Sequence, residues 1–145
     1  MSSPYATLKD LLDRYPHNDL VGISARSNED RGEINEKAVN LALEQASSEI
    51  DEYIGARYKL PLTAVSPQLV QICSHIARYY MERGDRTKAA IMDYERSIER
   101  LEAVKNGDAT LGLDENDEMA ELNDGGAVMT SGGTVWGRKD SKGFV

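Results

Sequence analysis

The stretch Asn35-Glu36-Lys37-Ala38-Val39-Asn40-Leu41-Ala42-Leu43-Glu44-Gln45-Ala46-Ser47-Ser48-Glu49-Ile50-Asp51-Glu52-Tyr53-Ile54-Gly55-Ala56-Arg57-Tyr58 decides the fold. Asn35 has the short polar side chain of an N-cap, and Val39, Ala42, Leu43, Ala46, Ile50, Tyr53 and Ile54 recur three or four residues apart. That spacing lines them along one face of an α-helix reaching about Tyr58. Roughly 23 residues rising 1.5 Å each give a helix of about 35 Å. No segment before Asn106 alternates with the period of two that a half-buried strand requires.

The flanks read the same way. Pro61 and Pro67 bracket an extended connector, and Ser66-Pro67 sets an N-cap before an N1 proline. The helix that follows is predicted to reach about Arg83, with Leu69, Val70, Ile72, Cys73, Ile76, Ala77 and Tyr80 inward. Thr87 caps a last helix in which Ile91, Tyr94, Ile98, Leu101 and Val104 repeat, and Asn106-Gly107 stops it. Upstream, Thr7 and Asp10 form the two halves of a capping box for a short helix from Leu8 to about Tyr15. Asp19-Leu20-Val21 reads as a second short helical piece, and 24–34 as polar loop. The expected fold is all-α, a small bundle of about four helices with one long.

Composition divides the chain into a helical domain, 1–106, and an acidic, glycine-rich C-terminal arm, 107–145. Residues 1–105 carry 14 basic and 17 acidic side chains, whereas 106–145 hold 3 and 8, with eight of the twelve glycines. Ala127–Thr130 and Thr134–Trp136, split by Ser131-Gly132-Gly133, are the one β-capable stretch, enough for a short hairpin. The net charge of −8 is opposite in sign to that of a DNA-coating or membrane-surface protein. One cysteine excludes an internal disulfide framework, and two histidines make a closed zinc site a poor fit. No apolar run approaches a membrane span, and the N-terminus lacks a basic stretch followed by an apolar one. A soluble, unexported product made in a cytoplasm is the expectation.

Little here points to chemistry. The loop from Ser27 to Asn35 imitates a calcium loop, with Gly32 at its turn and Ile34 at the usual apolar place, but it sets Arg31 at a ligand position and Ala38 where a closing Glu belongs. Cys73 lies on an apolar helix face and His75, two residues on, on another, so no nucleophile–base pair is expected. Glu95, Glu99 and Glu102 alternate with Arg96 and Arg100 as a solvated, ion-paired face. Arg78, Arg83, Arg86 and Lys88 form the one basic concentration, suited to an acidic partner, a phosphate or a helix C-terminus. The expectation is no enzyme, no cofactor and no metal.

Three stretches together resemble a known family. They are 5–15, 46–62 (ending Arg57-Tyr58-Lys59-Leu60-Pro61-Leu62) and 72–80 (Ile72-Cys73-Ser74-His75-Ile76-Ala77-Arg78-Tyr79-Tyr80). Their order and spacing resemble the small structural proteins of Mu-like phages and prophages, and the ending Trp136 to Phe144 is similar to that family's terminus. The resemblance implies a head-to-tail connector, or neck adaptor. Such a protein forms a homo-oligomeric ring, usually of twelve copies, beneath the portal protein and continues the DNA channel to a tail terminator or other neck protein. It binds no sequence, no membrane and no cofactor. Its site residues are then interface residues. Trp136 and Phe144 would be aromatic anchors, Arg138, Lys139 and Lys142 charged contacts, and Val128 and Val135 parts of a docking strand, with Arg78, Arg83 and Arg86 on the body. Two alternatives belong to other classes: an acidic DNA mimic that inhibits a host nucleic-acid enzyme, and a helix-turn-helix regulator. The mimic needs its acids on one rigid surface, and the glutamates of the last helix oppose the regulator.

Overall fold

A computed structural model describes residues 3–30 and 32–111. Within them lie five α-helices, α1 (Leu8–Arg14), α2 (His17–Ser24), α3 (Glu36–Ile54), α4 (Pro67–Met81) and α5 (Lys88–Lys105), with a 3-10 turn at Asn28–Asp30 and no strand. The all-α expectation is met by these residues. Thr7, Asn35, Ser66 and Thr87 are the N-caps of α1, α3, α4 and α5, and each side-chain oxygen accepts the backbone N–H three residues on, whereas α2 starts at Pro16 without a side-chain cap. Each cap contributes about 1 kcal/mol.

α3, α4 and α5 pack on one another, and the short α1 and α2 lie against α3 and α4. Val39, Leu43, Ala46, Ile50 and Ile54 from α3 meet Leu69, Cys73, Ile76 and Ala77 from α4, with Leu101 and Val104 from α5. The N-terminal segment is pinned by Tyr5, whose N–H donates to Ser47 Oγ (2.9 Å) and whose hydroxyl donates to the Asp51 carboxylate. None of the helices among the described residues is long and apolar enough to cross a membrane.

The helices depart from the sequence expectation in three places. α3 stops at Ile54, four residues early, where Gly55 is its C-cap and the chain tightens into a turn in which the N–H groups of Arg57 and Tyr58 both donate to Ile54 O; Tyr58 is buried all the same. α4 stops at Met81 instead of Arg83, since Glu82 leaves the helix to reach Thr87. α5 buries only Ala90, Ser97, Leu101 and Val104, leaving Ile91 exposed and Tyr94 and Ile98 half-covered. It rests on α3 and α4 from one side, so a narrow stripe suffices. Its glutamates and arginines form no ion pair with each other; the ion pairs among the described residues are Lys9–Asp13, His75–Asp93 and Arg78–Glu82.

The first residues of the 107–145 arm belong to the packed body. Gly107 adopts φ +87°, and the N–H groups of Asp108 and Ala109 both donate to Ala103 O, closing α5. Leu111 is wholly buried. Its carbonyl accepts from Ser66 Oγ at 2.6 Å and its N–H donates to Tyr58 Oη at 3.4 Å. Val128, Val135, Trp136, Arg138, Lys139, Lys142 and Phe144, and the hairpin expected around them, lie outside the described residues, as does Arg31.

Candidate docking surface

Two carboxylates organise the end of the bundle where α3 begins and α4 ends. Asp30 accepts from the backbone N–H of Arg26 (2.6 Å) and Ser27 (3.2 Å) and from Asn35 Nδ2 (3.0 Å). These bonds, the Arg26 N–H first, hold its carboxyl below the usual carboxylate range. Asn35 in turn caps α3 and donates its own N–H to Ser24 Oγ, so the polar loop is a folded element. Glu82 is buried and accepts from Arg78 Nε (2.9 Å), Thr87 N–H (2.8 Å) and Thr87 Oγ1 (3.1 Å). Both carboxylates stand five residues ahead of an N-cap. That recurrence is a signal the sequence holds and helical periodicity does not report.

The basic cluster divides into fixed and free members. Arg78 pairs with Glu82 and stacks over the Tyr15 ring, 4.8 Å from its centroid. Arg86 donates to Tyr79 O at 2.7 Å and covers the Tyr79 ring at 4.0 Å. Arg83 is exposed and has no carboxylate within ion-pair distance among the described residues. It shares a cleft of about 630 Å³ with Tyr15, Asp19, Ile23, Arg26, Glu82 and Asp85. Through Arg26 and Arg83 this cleft joins a groove of about 490 Å³ along α3, lined by Lys37, Leu41, Gln45 and Tyr80. Beyond Leu41 the surface turns acidic, with Glu44, Glu49 and Glu52 around a third hollow. Leu41 is 56% exposed at the boundary between them.

The remaining titratable groups serve the packing. Glu49 accepts the hydroxyls of Tyr80 and Tyr94, tying α3 to α4 and α5. Desolvation and that carboxylate push Tyr94 up to about 12. The Cys73 thiol touches Ser47 Oγ at 3.5 Å, and burial pushes it up to about 11. His75 faces α5 instead, with Asp93 at 3.9 Å and Ser97 Oγ at 3.4 Å; burial lowers its pKa against the pull of Asp93. The structure does not bring Cys73 and His75 together. No three His, Cys, Asp or Glu side chains converge as metal ligands among the described residues.

The described part of the chain is thus an all-α bundle whose ordered charges brace loops around open surface clefts. Residues 5–130 match the family described as Bacteriophage Mu, Gp36, and the chain belongs to that family. It is 43% identical to the Mu-like prophage FluMu protein gp36 of Haemophilus influenzae over 97% of this chain and 98% of that protein. It is 30% identical to Gene product J of Escherichia phage Mu, over 97% of this chain and 99% of that one.

Proposed function

We propose that this Mu-like phage protein is a head-to-tail adaptor. In this reading it forms a ring, of twelve copies on the family resemblance, that sits below the portal, continues the channel for DNA and offers the tail a surface to dock on. It is a virion neck component without catalysis or cofactor. The observation that carries the reading is that the three stretches of connector resemblance meet in one network. Tyr5 bonds Ser47 and Asp51, Ser47 touches Cys73, and Tyr80 bonds Glu49. The residues that carry the resemblance are therefore also residues that hold this fold together.

Further support comes from where the reactive side-chain types are used. Asp30, Glu49, Asp51, Glu82 and Cys73 hold elements together. An acidic chain also favours passage of DNA over adhesion to it, because phosphates are repelled. The arm supplies the remaining contacts, with Trp136 and Phe144 as anchors to a neighbouring subunit or the portal and Arg138, Lys139 and Lys142 beside them.

Truncation after Gly112 tests this, because it keeps Leu111 in the core. A phage carrying the truncated gene is expected to yield DNA-filled heads without tails by electron microscopy, while the truncated protein still melts cooperatively. Normal virions would overturn the reading.

A further inference from the structure

The charged cleft poses a question of its own. Arg26 and Arg83 line both halves of the continuous groove, and Lys37 stands on its α3 side. Arg26 uses its guanidinium on the carbonyls of Ile23 and Ala25, not on a carboxylate. Burial, then the Arg83 charge, lower its pKa against the pull of the Asp30 carboxylate, so Arg26 and Arg83 feel each other across the groove. The acids of the cleft are Asp19, Asp85 and Glu82, and Glu82 is committed to Arg78 and Thr87. The α3 half has Arg26, Lys37 and Arg83 and no acid among the residues lining it. An anionic occupant is what this half is built to receive.

The chain carries such an occupant. Between 112 and 124 it has six acids and no base. We propose that the groove bounded by Arg26, Lys37 and Arg83 seats the acidic 114–124 segment of a neighbouring copy of this chain. It takes from the adaptor reading only that copies meet.

Placement argues for a neighbour over the copy's own arm. The described chain ends at Leu111, held by Ser66 at the start of α4, whereas Arg83 follows the end of that helix. The 15 residues of α4 put the two about 22 Å apart. An extended chain needs about seven residues to cover that distance. A copy's own arm would use 112–118 on the way, and with them four of its six acids. A second copy set with its exit beside this groove brings all six. That contact is head-to-tail, the heterologous kind that closes into a ring or runs on as a filament.

Sedimentation of the full-length chain tests the seat by charge exchange. Lys37 and Arg83 are exposed and make no ion pair among the described residues, so Lys37→Glu with Arg83→Glu is expected to leave the melt unchanged. Wild type should self-associate at low ionic strength and dissociate as salt is added. The groove variant, and an arm variant with Asp117→Lys, Glu118→Lys and Glu121→Lys, should each associate at least about tenfold more weakly. Mixed, they should associate again, because the unaltered groove of the arm variant meets the unaltered acidic arm of the groove variant. An arm on its own body would show no effect of mixing and would overturn the proposal. So would salt-independent association, or a wild type that stays monomeric. Tailless heads from the truncated gene together with any of these would leave the adaptor reading standing and this seat refuted.

Discussion

The two ends of the bundle are closed by different chemistry. Where α3 ends and α4 begins, closure is mainly apolar: Leu111 folds back into the core, with Tyr58 and Ser66 satisfying its backbone. At the other end the closing groups are carboxylates, Asp30 and Glu82, each gathering donors from a loop and from the helix next to it. Apolar closure seals a surface. Carboxylate closure orders loops while leaving cations such as Arg83 open to solvent, so the second end is both rigid and charged. That combination suits a docking site, because little side-chain or loop order has to be gained on binding.

The largest effect is expected at the carboxylate end. Glu82→Ala removes the acceptor for Arg78 and Thr87 and leaves a half-buried guanidinium uncompensated, at about 3 kcal/mol by denaturant titration. A cost under about 1 kcal/mol would mean that this end is held by something else. Next comes Leu111→Ala, expected to cost about 2 kcal/mol, because the site lies near the end of the packed segment and can relax. Should that substitution exceed Glu82→Ala, the ranking of the two ends is reversed. The smallest effect belongs to the middle of the bundle, where Glu49 takes two phenols. Folding raises the pKa of Tyr80 and Tyr94, so the stability from these bonds is complete below the ordinary tyrosine value of about 10 and is lost as pH rises above it. Denaturant midpoints measured against pH should fall in that alkaline window, and Tyr94→Phe should flatten the slope. An unchanged slope would remove this seam as the cause.

Much of the bundle is legible in the residues. The N-caps at Thr7, Asn35, Ser66 and Thr87 and the apolar faces of α3 and α4 stand where spacing puts them. Periodicity reports which residues share a face but not how much of that face a neighbour covers, and so Ile91 is exposed. It is silent on acids that act across five residues of loop, as Asp30 and Glu82 do. Leu111 was hidden by its surroundings, an apolar residue in an acidic, glycine-rich stretch that reads as arm. Of the basic cluster, composition gave the members and only geometry separated Arg83, which is open, from Arg78 and Arg86, which stack on tyrosines.

Cys73 is the one cysteine of the chain, fully buried, with a thiol pushed up to about 11. At neutral pH it is protonated and shielded, hence nearly inert to alkylating probes. A cysteine introduced on the surface would therefore take a fluorophore or spin label alone, over a native background close to zero. The molecule comes ready for distance measurements, and a label at Lys37 or Ser48, both exposed, would report on the basic or the acidic side of Leu41 without a cysteine-free variant having to be made first.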